Sequence, residues 1–331
     1  MKAKKGFRIG LGLAVAGLFL WLIFRQTSLE DIVVAFRGTH FAFVAAGIGA
    51  LGLGYAARIE RWRLMLLADN GALRFRDCAG PFVTSFAMNN VLPLRAGDVA
   101  RLFAFRGRLG ITLGTGAAAL FVERMLDLIA LLVLFGLALA IFGGEVSGIL
   151  GLGGGAAAAV GFVLLAILLV PALLAPAYRL VRTGLQRLPR GKGQALAEET
   201  DRAFETLIRL SKGGRLLRLV VLSGLAWALE GLTFTAAALA MPGLTAVAGA
   251  WLALPVGSLS TLVPGAPGYA GTFHYFVSSA MQSLGTGAAA ATAYAVLIHA
   301  MLWLPITAAG ALALLFAPPA ARENPFSEAE L

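Results

Sequence analysis

The feature that most restricts the fold of this 331-residue chain is a series of long apolar runs. An α-helix needs about 20 predominantly apolar residues to cross the hydrocarbon core of a bilayer. Hydrophobic residues make up 59% of the chain and charged residues only 13%, against about 25% charged in soluble domains. We therefore expect an all-α, polytopic membrane helix bundle. About six runs are predicted to span the membrane: 8–24, 41–57, 113–142, 153–177, 218–240 and 285–317.

Two further stretches, 81–108 and 245–282, are apolar but are interrupted by Pro and Gly. Within a bilayer, irregular backbone is tolerated only where protein or a water-filled cavity covers it. We therefore expect two re-entrant hairpins or discontinuous helices, and we assign helix breaking and gating to their Pro and Gly residues. These residues are Pro93, Gly97, Pro264, Gly265, Gly268 and Gly271.

The distribution of basic residues predicts the orientation. The chain has 27 Lys and Arg against 17 Asp and Glu, and positive charge is enriched in cytoplasmic loops. If the N-terminus is cytoplasmic, nearly all basic residues fall on that side, including the arginines between Arg58 and Arg108. The C-terminal tail, 321–331, is then also cytoplasmic. No groove-reading motif accompanies the basic residues, so we expect a membrane-surface role for them and no nucleic-acid partner.

The connector 178–217 is the longest polar segment and is basic. Within it, AEETDRAFETLIRLSKGG predicts an amphipathic helix on the cytoplasmic face, with Phe204, Leu207 and Leu210 among its apolar residues. Two interpretations are equally favoured: the helix binds lipid headgroups, or it is a solvated connector whose charges only fix the topology.

The string LGTGAAA occurs twice, at 113–119 and 284–290. At the offset of 171 between the copies (284 − 113), the agreement continues upstream, so that Pro93 aligns with Pro264. Each unit is interpreted as a broken segment followed by a long helix that opens with LGTGAAA. The string itself is expected to let helices pack closely and to do no chemistry.

Three predicted spans separate the two broken segments, and an odd number of crossings reverses the second segment relative to the first. The sequence therefore predicts an inverted repeat within a single membrane domain, 1–320, with halves at about 41–177 and 218–317. Inverted repeats with interrupted helices are typical of secondary transporters, whose binding site lies between the halves.

The string NNVLPLRAGDVAR surrounds the first break with polar residues. An arginine beside a broken helix can hold a phosphate through paired N–H donors. In the alternative interpretation, Arg95 pairs with Asp98, and Arg101 reaches the cytoplasmic interface with its charged end. The candidate substrate-binding residues here are Asn89, Asn90, Arg95, Asp98 and Arg101.

A second group of charges, in FVERMLDLIALLVLFGL, lies within a predicted span. Charges inside a bilayer are costly and usually face a bundle interior or a water-filled cavity. We therefore assign Glu123, Arg124 and Asp127 to substrate binding, with Glu230 as a possible partner of Arg124. A purely structural ion-pair network is the alternative.

The second half is almost uncharged, since no Asp, Glu, Lys or Arg occurs between Gly231 and Ala321. Tyr269 and His274, in and beside the second broken segment, are the candidate substrate-binding groups there, and His299 follows in the next span. A histidine can bind a headgroup or relay protons. A buried histidine that makes a single hydrogen bond is the alternative.

An enzyme is not expected. The motifs HExxH, GxSxG and the Walker loop are absent, and no nucleophile accompanies the intramembrane acids. We likewise expect neither a metal nor a cofactor.

The strings NNVLPLRAGDVAR, FVERMLDLIALLVLFG and VPGAPGYAGTF together resemble the lysylphosphatidylglycerol synthase transmembrane-region family, also called flippase-like domain proteins. The resemblance extends to about Phe316. It implies movement of a lipid with a bulky or phosphate-bearing headgroup between leaflets of the bacterial inner membrane. Many members carry an acidic residue after the second motif, where this chain has Thr272, Phe273 and His274. The residues that match the family motifs are Asn90, Pro93, Arg95, Gly97, Asp98, Arg101, Glu123, Arg124, Pro264, Gly268 and Gly271.

The leading hypothesis is thus a lipid translocator. The sequence lacks the soluble aminoacyl-transferring domain of resistance factors, so synthase activity is not expected. The alternatives are a membrane-embedded lipid-modifying enzyme and a scaffold of an envelope-lipid synthesis complex. The expected partner is the membrane lipid substrate, together with a second copy of the chain or a lipid-synthesis enzyme.

Overall fold

Every regular element in the described part of the chain is helical. The computed structural model describes residues 14–92, 95–143, 149–188, 191–263 and 266–316, without the side chains of 149–158, 192 and 267. The helices in chain order are α1 (Ala14–Phe24), α2 (Leu29–Ala35), α3 (Phe41–Leu66), α4 (Phe75–Val91), α5 (Ala96–Phe103), α6 (Arg106–Leu109), α7 (Leu113–Phe142), α8 (Ile149–Leu169), α9 (Ala175–Leu185), α10 (Lys192–Leu210), α11 (Gly213–Leu239), α12 (Ala250–Ser260), α13 (Thr272–Gln282) and α14 (Ala288–Leu315).

Among the described residues, four helices are long and apolar enough to cross a membrane: α3, α7, α11 and α14. They correspond to four of the predicted runs. Helix α3 continues to Leu66, well beyond the predicted end at residue 57, because Arg58 and Arg61 find acidic partners inside the bundle. Helix α1 is a shorter apolar helix that covers the described part of the first predicted run.

The predicted span 153–177 is not one helix. Helix α8 ends at Leu169, and the segment from Pro171 to Leu185 is bent by 99° relative to it. Proline disfavours a helical conformation in the preceding residue, and Val170 is indeed non-helical, with φ −128° and ψ 73°. The prediction of a continuous helix is therefore wrong beyond Leu169.

The connector contains the predicted amphipathic helix, α10, but its apolar side faces protein. Leu207 and Leu210 are buried in a core shared with α7. Tyr178 of α9 stacks on Phe204, with ring centroids 4.4 Å apart, and donates a hydrogen bond of 2.7 Å to Asp201. Hydrogen bonds from Arg182 and Tyr178 lower the pKa of the Asp201 carboxyl. The apolar side of α10 therefore docks the connector onto the bundle.

The two LGTGAAA copies have different conformations. The first opens α7 at Leu113, as predicted. In the second, α13 ends in a Schellman motif: Gly285 has φ +84°, and the Thr286 N–H donates to the Met281 carbonyl at 3.2 Å. Helix α14 begins only at Ala288, so the prediction that both helices open with the string is wrong for the second copy.

The first copy packs as predicted, at Gly114. A Cβ on this residue would overlap the Glu199 carbonyl oxygen of α10, whereas one on Gly116 would lie 3.4 Å from the flexible Leu102 side chain. We expect Gly114→Ala to lower the free energy of unfolding by about 1–3 kcal/mol, because it forces α10 away. Gly116→Ala should be neutral or stabilising, since alanine favours a helix. Equal changes in thermal unfolding of the two purified variants would contradict this packing.

The broken stretches are also present. Each has a helix, an interruption, a short helical part and then a long helix: α4, the short helices α5 and α6, and α7 in the first case, and α12, α13 and α14 in the second. Helix α4 packs along α14, and α3 packs along α11, so both breaks lie in one bundle. Pro93, Pro264 and Gly265 lie outside the described residues.

Candidate functional site

The two breaks meet each other. Arg95 precedes α5 with φ 53°, and Tyr269 ends a 3₁₀ turn, Pro267–Tyr269, with φ 57°. Within the described ranges they are the two non-glycine residues with positive φ, a conformation that costs about 1–2 kcal/mol per residue. The Arg95 Nε–H donates to the Tyr269 hydroxyl oxygen at 3.4 Å. The strained residue of one break therefore contacts that of the other.

Glycine allows the close contacts at the breaks. A Cβ on Gly97 would overlap the Ser85 carbonyl oxygen of α4. Gly268 has φ +71°, and a Cβ there would lie 3.1 Å from the Trp303 Nε1. Gly271, just before α13, lies against the backbone of Ala16 in α1. Gly97, Gly268 and Gly271 are thus positions where the backbone needs room.

A cavity of about 420 Å³ lies between the helices that carry the breaks. Its size is within the usual range for a small-ligand site. Both halves contribute aromatic walls, among them Phe86 from the first half and Trp303 from the second. The polar and charged lining residues are Tyr55, Arg58, Asn89, Asn90, Arg95, Arg124, Asp127, Glu230, Ser258, Thr261, Tyr269 and His299. Six of the ten predicted substrate-binding residues line this cavity; Asp98, Arg101, Glu123 and His274 do not.

Arg101 and Glu123 lie behind the cavity wall. The Arg101 guanidinium donates two hydrogen bonds to the Glu123 carboxylate, at 2.9 and 3.1 Å. The two side chains are 2% and 0% exposed, and the rings of Trp62 and Phe82 flank the guanidinium. The interpretation in which Arg101 extends to the interface is therefore wrong, because its charge has a buried bidentate partner.

Asp98 is not the partner of Arg95. Its carboxylate accepts a hydrogen bond from the Asn89 side chain at 3.0 Å and lies 3.4 Å from Arg124 and 3.6 Å from Arg101. Arg95 contacts Tyr269 instead. The alternative that pairs Arg95 with Asp98 is thus wrong.

Arg124 bridges several acids. Its guanidinium lies 2.8 Å from Glu123 and 4.0 Å from Asp127. The predicted partner Glu230 instead pairs with Arg58, at 2.5 Å between Oε2 and Nη2. That prediction is wrong because Arg58 on α3 packs directly against α11, which carries Glu230.

Arg58 and Arg61 are the residues that sequence reasoning missed, since both were assigned to a cytoplasmic loop. Arg61 is fully buried and donates through Nη1 to Asp127 at 2.7 Å and to Ser223 at 2.8 Å. A signal was present in the sequence: Arg58 and Arg61 are three residues apart and so share one helix face, whereas Glu60 and Arg63 pair on another face.

The two histidines form a pair. The His274 Nδ1 accepts a hydrogen bond from the Gly271 N–H at 3.2 Å, and its Nε2 lies 3.0 Å from the His299 Nδ1. Because Nδ1 of His274 is an acceptor, neutral His274 carries its proton on Nε2 and donates it to His299. Neither histidine is the isolated group of the alternative interpretation. The pair joins the second break to α14.

Arg95 differs from the other arginines of the site. Within the described ranges, no carboxylate lies within 4.0 Å of its guanidinium. In the described structure its side chain makes the long hydrogen bond to Tyr269, and it is half-buried at the cavity wall. Such a guanidinium can bind an anionic oxygen through its remaining N–H groups. Among the described residues, no group of three or more His, Cys, Asp or Glu is placed to hold a metal ion.

The sequence matches a known family. The family model for the lysylphosphatidylglycerol synthase TM region matches residues 9–310. The chain belongs to this family. No curated protein matches the chain. Membership confirms the resemblance seen in the motifs and indicates a membrane protein with a lipid-related role.

Proposed function

We propose that the protein is a lipid translocator that moves a phosphate-bearing lipid between the leaflets of the bacterial inner membrane. The observation that supports this most is Arg95, which faces the cavity without a carboxylate partner in the described chain. A guanidinium is well suited to a phosphate because its N–H groups match two phosphate oxygens. Family membership supports a lipid as the molecule that carries the phosphate.

The proposed transport path follows the two breaks. The order helix, break, short helix, long helix occurs twice, and we propose that the two units are inverted repeats within a bundle of about six spans. In such transporters the site lies between the repeats, and each repeat in turn opens it to one side. The cavity is lined from both units, as this arrangement requires.

The contact between Arg95 and Tyr269 is the proposed gate. It joins the breaks by one hydrogen bond of 3.4 Å between two residues in left-handed conformations. Strained residues of this kind cluster at ligand clamps and switches. A phosphate that binds Arg95 replaces the Tyr269 hydroxyl as its partner, so that headgroup binding and separation of the breaks are coupled.

On this proposal the lipid crosses without chemical change, and no cofactor takes part. Both termini lie in the cytoplasm, where the basic connector faces the anionic inner leaflet. The headgroup enters through the first break and leaves through the second.

The test is leaflet-resolved lipid movement in proteoliposomes. Purified protein is reconstituted with a phospholipid labelled on an acyl chain, and the label in the outer leaflet is quenched with a membrane-impermeant reductant. We expect faster movement than in protein-free vesicles, with the labelled lipid recovered unaltered. Movement no faster than in protein-free vesicles would contradict the proposal, and a chemically altered lipid would point to an enzyme instead.

A further inference from the structure

We infer that the translocated lipid carries one net negative charge, as a phosphodiester headgroup without an amine. This inference rests on the proposed function and concerns the charge of the substrate. It follows from the charges that line the cavity or lie behind its wall, which we call the buried charge cluster: Arg58, Arg61, Arg95, Asp98, Arg101, Glu123, Arg124, Asp127 and Glu230.

Each carboxylate of the buried charge cluster is already neutralised by an arginine. Glu230 pairs with Arg58, and Asp127 pairs with Arg61. Glu123 and Asp98 are shared by Arg101 and Arg124. Four carboxylates thus match four arginines, and the fifth arginine, Arg95, remains.

Among the residues that the structure describes, no other carboxylate lies close enough to remove the charge of Arg95. The chain has no Asp or Glu between Gly231 and Ala321, so the second half contributes no anion to the cavity wall beyond Glu230, which already pairs with Arg58. Pro93, Leu94, Pro264 and Gly265, which complete the two breaks, have no ionisable side chain. The paired histidines are neutral, because each uses a ring nitrogen as an acceptor. The buried charge cluster therefore has a net charge of plus one.

A net charge in a site of low dielectric constant is costly, and an ion of opposite charge removes that cost. One monoanionic phosphodiester brings the cluster to neutrality. A zwitterionic headgroup leaves the excess positive charge, a cationic headgroup increases it, and a doubly charged phosphate reverses it.

The acids on the cavity wall are also poorly placed to receive an amine. Asp127 and Glu230 lie 2.7 and 2.5 Å from buried arginines, so an ammonium group would have to compete with an existing ion pair. Hydroxyl groups on a lipid headgroup need not displace an ion pair, because the polar side chains of Tyr55, Ser258 and Asn90 line the same cavity. Uncharged hydroxyls beyond the phosphate therefore suit the wall better than an amine.

The experiment compares three acyl-labelled lipids in the same proteoliposomes: phosphatidylcholine with no net charge, phosphatidylglycerol with one negative charge, and phosphatidic acid, whose phosphomonoester carries more than one negative charge at pH 8. We expect phosphatidylglycerol to move about tenfold faster than either of the others, the scale of one hydrogen bond to a charged group. Arg95→Gln should reduce this preference to less than about twofold. Tyr269→Phe, which removes the hydroxyl of the same contact without altering charge, should keep it.

A binding measurement separates this inference from the proposed function. In detergent, phosphatidylglycerol should raise the thermal unfolding temperature of the wild-type protein more than phosphatidylcholine does, and Arg95→Gln should abolish the difference. Movement of phosphatidylcholine at the rate of phosphatidylglycerol, with equal stabilisation by both, would overturn the charge preference while leaving translocation intact. Selective stabilisation without any lipid movement would support the charge preference and overturn translocation.

Discussion

Replacing Arg101 by leucine is expected to lower the free energy of unfolding by about 3–5 kcal/mol. The substitution removes both hydrogen bonds to Glu123, a carboxylate with no exposed surface, and leaves it with Arg124 as its remaining ion-pair partner. Breaking a buried ion pair from one side is costly because the remaining charge stays away from water. Chemical unfolding of the purified protein in micelles measures the loss.

The matched control is Arg108→Leu, in the same segment of the chain. Arg108 is exposed on α6, and no ion pair or hydrogen bond of its side chain is found in the described structure. Surface substitutions of this kind change stability by less than about 0.5 kcal/mol. Similar losses in the two variants would mean that Arg101 is not held in the buried pair.

Replacing Arg58 by methionine should cost about 3 kcal/mol, because Glu230 then loses the partner at 2.5 Å and is only 13% exposed. The double variant Arg58→Met with Glu230→Met should recover most of this loss, since an apolar pair of similar volume often replaces a buried ion pair at little cost. Arg58 also lies over the ring of Trp227 at 5.0 Å, a contact that methionine partly retains. Thermal or chemical unfolding of wild type, both single variants and the double variant completes the cycle. Additive losses, without recovery in the double variant, would contradict the pairing.

Much of the fold was accessible from the sequence. Hydropathy located α3, α7, α11 and α14 because only a continuous apolar run can cross a membrane. It could not place the end of α3, because it treats Arg58 as the start of a loop. The partner that keeps Arg58 inside, Glu230, is 172 residues away in sequence. Similarly, the residues of LGTGAAA were recognisable, but the turn at Gly285 depends on how α13 ends.

The sequence identified many of the residues of the candidate site, but it did not show which of their side chains contact each other. Proline and glycine marked both breaks, and the polar residues around them identified four cavity residues: Asn89, Asn90, Arg95 and Tyr269. The charges within a predicted span identified two more, Arg124 and Asp127. The alternative pairing of Arg95 with Asp98 rested on their closeness in sequence, whereas the Asp98 carboxylate faces Asn89, Arg101 and Arg124. The contact between His274 and His299 joins separate helices, so spacing along the chain gave no indication of it.

The central claim is that Arg95 receives the phosphate of a lipid that crosses the membrane. Its most direct test is the rate of phosphatidylglycerol movement in proteoliposomes that contain wild type, Arg95→Ala or Arg179→Ala. Arg179 is an exposed arginine on α9 whose side chain, within the described part of the chain, bonds only the carbonyl of Ala175, one turn earlier. We expect Arg95→Ala to lower the rate at least about tenfold, since a hydrogen bond to a charged group is lost, and Arg179→Ala to leave it unchanged. Wild-type rates in the Arg95→Ala protein would contradict the account.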